Sequence, residues 1–126
     1  MANEDNRQTV ERVYALIGTE EWDSLREIFH EDFVQEWPQS GERIRGADNA
    51  LGINKSYPGL PKIDVRRVLA SGDLVTAEVT LNYPEAGTYQ GVSIFEFRDG
   101  KIAKETDYFA QPFQAPEWRS KWVEKM

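Results

Sequence analysis

The chain has 126 residues, no cysteine and a formal net charge of -7. That length suits one domain, 1–126, with a core of its own, and the acidic balance works against nucleic-acid phosphates and anionic lipid surfaces as partners. Disulfide and thiol chemistry are excluded. Met1 to Arg7 is polar, and no apolar run approaches the roughly 20 residues that span a bilayer. A cytoplasmic protein with no membrane partner is therefore expected.

In chain order, Val10, Val13, Tyr14 and Ile17 recur at helical spacing and predict a first helix that stops near Gly18. Trp22, Leu25, Ile28 and Phe29 repeat the pattern and predict a second, shorter helix packed on the first. Phe33 to Trp37 reads as a short extended piece ended by Pro38, and Gln39 to Arg45 as a polar loop. Gly46 to Ser56 suits a third helix, weakened by Gly52 and Asn54 and closed by Tyr57-Pro58-Gly59-Leu60-Pro61.

From Lys62 the pattern changes to β-branched alternation. Strands are predicted over Ile63–Ala70, Leu74–Tyr83, Thr88–Arg98 and Lys101–Ala110, joined by turns that make an antiparallel meander. In the second of them Val75, Ala77, Val79, Leu81 and Tyr83 would face inward, with Thr76, Glu78, Thr80 and Asn82 outward. Arg66-Arg67 puts two charges on opposite faces of the first, so one of them would point inward. Trp118 and Trp122, four residues apart after Pro116, predict a short C-terminal helix. Helices first and a curved antiparallel sheet afterwards define an α+β domain with the helices on one face of the sheet.

Several of these segments carry a resemblance. They are Ile28-Phe29-His30-Glu31-Asp32-Phe33, Tyr57-Pro58-Gly59-Leu60, Ala70-Ser71-Gly72-Asp73-Leu74-Val75, and Ile94-Phe95-Glu96-Phe97-Arg98-Asp99-Gly100-Lys101-Ile102 followed by Asp107-Tyr108-Phe109. Together they resemble the SnoaL-like polyketide cyclase branch of the nuclear transport factor 2-like superfamily over nearly the whole chain. The resemblance implies a cone-shaped sheet wrapped over helices, and it places Asp107 where such cyclases carry an acid/base aspartate. It does not extend to every relative. Aligned with ketosteroid isomerases, Val13 stands where their tyrosine would be, Trp37 where the base would be and Ser93 where the protonated acid would be, so none of the three is retained. A scytalone dehydratase-like site needs a histidine pair, and this chain has one histidine.

The facing of Asp107 depends on the turn at Asp99-Gly100. A two-residue type I′ turn opposes Arg98 to Lys101 and puts Asp107 with Val92 and Ile94. A three-residue loop with a glycine bulge opposes Phe97 to Lys101 and turns Ser93, Phe95 and Phe97 inward with Glu105, Asp107 and Phe109. The resemblance favours the bulged loop. The outer face would then carry Val92, Ile94, Ile102 and Tyr108, for which a second copy of the chain is the expected cover, giving a homodimer through the outer sheet face.

Tyr14, Trp37, Ile53 and Tyr57, with Trp118 or Trp122 from the tail, would complete an apolar, aromatic cavity lined also by Ser93, Phe95 and Phe109. It would suit a small, flat apolar or aromatic ligand bearing a carbonyl or hydroxyl. Glu105 lies two residues before Asp107, roughly 7 Å along the strand, and two carboxyls that cannot both ionise cheaply make a proton carrier. Asp107 would move a proton beside a carbonyl while Tyr14, Tyr57, Ser93 or a tryptophan N–H stabilises the enolate oxygen. No metal-site spacing or phosphate loop is present, and no cofactor is expected. Two functions stay open: a cofactor-free isomerase, cyclase or lyase, and a non-catalytic ligand-binding or dimeric accessory domain. In the second, Asp107 is a structural or exposed carboxylate and the tail tryptophans are packing groups.

Overall fold

In a computed structural model, which describes residues 2–126 with side chains from Glu4 onward, the helical spacing near the N-terminus becomes the buried stripe of α1 (Ala2–Gly18). Val10, Val13 and Leu16 are each no more than 7% exposed. Met1 lies outside the described residues. A five-residue α2 (Trp22–Arg26) follows, anchored by buried Leu25. It ends before Ile28 and Phe29, which sequence spacing assigned to it.

Phe29 instead opens β1 (Phe29–Trp37), four residues longer at its start than the extended piece expected from Phe33. Phe29 and Phe33 stand four apart, as on a helix, yet both are buried on one side of the strand with ring centroids 4.2 Å apart. An even step of four already puts both on one side of a strand, though about 13 Å apart, and the register irregularity between Phe29 and Val34 falls where the rings meet. The presumed loop after Pro38 contains β2 (Glu42–Arg45), a hairpin partner of β1 whose single buried side chain is Ile44. A four-residue edge strand with charges around one apolar group has too little alternation to be read from sequence.

Next come α3 (Ala47–Ser56), β3 (Lys62–Ser71), β4 (Leu74–Tyr83), β5 (Gly87–Arg98), β6 (Lys101–Ala110) and a 3-10 helix (Glu117–Trp122). The six strands form one curved, open sheet in the order β2-β1-β6-β5-β4-β3. Only the β1–β6 pairing is parallel, and it brings the N-terminal strand against the last one in the middle of the sheet. The three α-helices pack on one side, α1 against β3 and β4, and α3 against β1 and β2. None of the described helices is long and apolar enough to cross a membrane.

The inward series of β4 is as expected, with Val75, Ala77, Val79 and Leu81 all 5% exposed or less, while Thr80, expected outward, is also buried at 8%, its hydroxyl against Gln90. In β3 the arginines behave differently. A bulge between Val65 and Arg67 breaks the alternation, so both Arg66 and Arg67 are exposed and Arg67 donates to Glu78 on the outer face. No arginine points inward from this strand.

Gly91 on β5 marks a close approach. A Cβ there would lie 3.1 Å from both Leu81 Cδ1 and Val79 Cγ2. Gly91→Ala is expected to destabilise the chain by about 1 kcal/mol, overpacking outweighing the gain from a stiffer unfolded chain. Urea unfolding with an unchanged m-value and a lower midpoint checks this.

Candidate functional site

The β5–β6 hairpin combines the two registers weighed from sequence. Asp99 and Gly100 both have positive φ, 53° and 76°, and Arg98 pairs with Lys101, as a two-residue type I′ turn requires. One step further in, Phe97 faces Ile102 while Glu96 faces Lys104, leaving Ala103 as an extra residue on β6. This bulge shifts the register once, so Ser93 pairs with Asp107 and Phe95 with Glu105. The facing favoured for Asp107 therefore holds, but the three-residue loop does not. Ile102, expected on the outer face, is fully buried for the same reason.

Asp107 is 2% exposed. Three donors from adjacent strands converge on it: Ser93 Oγ at 2.6 Å to Oδ1, and Gln35 Nε2 at 2.6 Å and Trp37 Nε1 at 2.9 Å to Oδ2. That is the hydrogen-bonding pattern of an ionised carboxylate. Gln35 Nε2 also donates to Glu105 Oε2 at 3.1 Å, so a single amide bridges both carboxyls. Burial pushes the Glu105 pKa well above its ordinary value of 4.5, reinforced by the charge of Asp107 and a hydrogen bond to it. Burial therefore favours the neutral form of Glu105.

A pH dependence of stability follows. The folded chain keeps the Glu105 proton at pH values where the unfolded chain has lost it. This contribution is whole below the unfolded pKa and is lost as pH rises through the folded one. Unfolding free energy should fall with rising pH by up to about 1.4 kcal/mol per unit from this group. Glu105→Gln, neutral throughout, should flatten that slope in urea titrations run on both sides of neutrality; identical slopes would contradict it.

Above the carboxyls lies a cavity of about 430 Å³, between the sheet and the helices. Its walls are mostly apolar, and no lysine, arginine or histidine lines it. Tyr14 enters from α1. Its hydroxyl is buried without a hydrogen-bond partner. Ser93 lies beside it, its own hydroxyl donating to Asp107, and the two hydroxyls are not hydrogen-bonded to each other. Burial, and then the nearby Glu105 carboxyl, drive the Tyr14 pKa far upward, so the phenol stays a donor.

Of the residues singled out from sequence, Tyr14, Trp37, Tyr57, Ser93, Glu105, Asp107 and Phe109 line this cavity. Tyr57 is 46% exposed, with its ring centroid 6.0 Å from that of Tyr83. Phe95 does not line it; fully buried, it packs edge-on under the Tyr14 ring at 6.2 Å. Trp118 and Trp122 do not line it either, being 74% and 70% exposed on a 3-10 helix that buries none of its side chains. The i, i+4 spacing assumed an α-helix, whereas a three-residue turn sets the rings apart. Gln35 was missed. The signal was its position between Phe33 and Trp37 at a period of two, a polar group on an otherwise apolar strand face. Among the described residues no group of three or more His, Cys, Asp or Glu could hold a metal ion.

An open curved sheet with helices on one side and an acid-lined apolar cavity between them defines the nuclear transport factor 2-like fold. The chain belongs to the SnoaL-like domain family, whose model matches residues 10–105. It is similar to an NTF-2 like protein of unknown function from Burkholderia xenovorans, with 36% identity, a TM-score of 0.86, and 100% of this chain and 98% of that one covered. A candidate ketosteroid isomerase from Kribbella flavida is 28% identical with a TM-score of 0.92, covering 100% and 93%. An LEH-like epoxide hydrolase of M. tuberculosis, at 24% identity and TM-score 0.74 over 86% and 85%, shares the fold. Among curated proteins no sequence matches significantly.

Proposed function

We propose that this protein, acting as a single domain, is a cofactor-free acid/base catalyst that binds a small hydrophobic carbonyl compound and moves a proton beside the carbonyl. The isomerase named among its structural relatives supports this class. The observation that carries it is the unpartnered Tyr14 hydroxyl, buried in the same apolar cavity as the carboxyl pair. A buried donor left unpaired costs stability, and a ligand oxygen is the partner that would repay it.

In this reading Asp107 is the base. The proton leaves the carbon next to the carbonyl for Asp107, and the C–H electron pair moves into the forming enolate. Charge develops on the carbonyl oxygen, where the Tyr14 O–H and the protonated Glu105 donate. Return of the proton to a conjugated carbon completes isomerisation, while replacement of the Asp107 proton by a solvent deuteron before its return to the same carbon gives exchange. Ser93, Gln35 and Trp37 hold Asp107 in place. The apolar walls exclude water, and the absence of a lining cation favours an uncharged substrate. Two copies pair through the outer sheet face, covering Val92 and Tyr108, which are 36% and 45% exposed.

Deuterium incorporation into 2-tetralone, a flat bicyclic ketone, followed by proton NMR in heavy water, tests the reading. Exchange faster than the buffer rate is expected. Binding of this ketone at the buffer rate of exchange would leave the non-catalytic ligand binder instead.

A further inference from the structure

The segment from Gln111 to Met126 is the most exposed apolar part of the chain. Phe113, Trp118 and Trp122 are 80%, 74% and 70% exposed, and Val123 is 54% exposed. Isolated chains seldom leave three large aromatics of one segment in water. The sheet offers them no cover in cis, since the 3-10 helix has no buried residue.

We propose that this segment is an intersubunit arm, which lays Phe113, Trp118 and Trp122 on the outer sheet face of a second copy beside the rim of its cavity. The inference rests on the pairing through that face and goes beyond it by naming the element that clasps. Two observations point to the second copy as the occupant.

The first is area. A large aromatic buries about 150–250 Å², so three at these exposures offer roughly 450 Å² per arm. Two arms, with the equal area they would cover on the opposite chain, reach roughly 1,800 Å², within the range of stable protein interfaces. The second is continuity. Met126, itself fully exposed, borders a groove on the outer face of its own chain with Arg66, Glu78, Gln90, Val92 and Tyr108, so the arm of each chain ends beside the face through which the copies pair. Gln39 and Phe109 line both this groove and the cavity, and Gln39 Oε1 accepts the Phe109 backbone N–H. An arm seated there abuts the cavity rim of its partner.

Sedimentation of the full chain across a range of concentrations, together with hydrogen exchange of residues 115–123, is the test. The wild type should sediment at twice 14.5 kDa. Its arm amides should gain protection as the dimer fraction rises. The double substitution Trp118→Ser/Trp122→Ser should raise the dimer dissociation constant at least about tenfold. A dimer of unchanged affinity in the double variant, or arm amides unprotected in the wild-type dimer, would overturn the arm while leaving face pairing in place. A wild type that stays monomeric would overturn both, with the arm covered by another protein or folded over its own sheet.

Discussion

Asp107→Asn is expected to abolish catalysed exchange while leaving the fold intact. Asparagine keeps the shape of the side chain, and its carbonyl can still accept from Gln35 and Trp37 on the side where Oδ2 sits. Its amide then meets Ser93, whose hydroxyl can rotate from donor to acceptor. The cost in stability should stay within about 1–2 kcal/mol. The base, however, is gone, and loss of a positioned general base lowers the rate by about 10²–10⁴-fold. Leucine at the same position would orphan three donors at once and cost about 3 kcal/mol or more. The pair of variants separates chemistry from structure, with exchange into the ketone and urea unfolding read side by side. Undiminished exchange in Asp107→Asn would remove Asp107 from the mechanism.

Tyr14→Phe should make the protein more stable and less active together. The Tyr14 hydroxyl is buried and unpaired. Removing an unsatisfied polar group while keeping the ring, which packs edge-on against Phe95, recovers about 1 kcal/mol of desolvation cost. The same change removes one of two donors to the developing enolate oxygen, worth about 10²-fold in rate. A stabilising substitution that damages activity is the signature of a group held for a ligand. Thermal unfolding and ketone exchange measured on one preparation check both halves. A destabilised Tyr14→Phe would mean that the hydroxyl already has a partner in the folded chain.

Much of the fold was legible because burial writes itself into period. The inward series of β4 and the turn signals around it read directly, as did the start of α3. The hairpin register was only half legible. The turn residues specify the loop, but the Ala103 bulge carries no signature of its own, and it decides the facing of every residue from Lys104 to Ala110. The opening of β1 was hidden for another reason. Phe29 and Phe33 mimic helical spacing, and the strand's partner is β6, some seventy residues later, so nothing local announces the parallel pairing.

The site shows the same division. Asp107 and Glu105 were legible as a pair on one strand, since a period of two places them together. Gln35, which joins them, comes from the long-range pairing of Gln35 with Glu105 and so could not be tied to them from sequence. Aligned with the ketosteroid isomerases, Val13 stands at their tyrosine position. In the folded chain Val13 is core, 2% exposed, and the next residue, Tyr14, brings a phenol into the cavity. The tail tryptophans were misplaced because i, i+4 spacing puts them on one face only of an α-helix, and it says nothing about whether their own chain covers them.

Catalysis by this pair requires Glu105 to keep its proton beside the Asp107 carboxylate at working pH. Carbon-13 NMR of the Glu105 side-chain carboxyl, assigned against Glu105→Gln and followed through a pH titration of the intact chain, measures that directly. The carboxyl is expected to be still protonated well above its ordinary pKa of 4.5. A Glu105 that ionises at that ordinary value would contradict it.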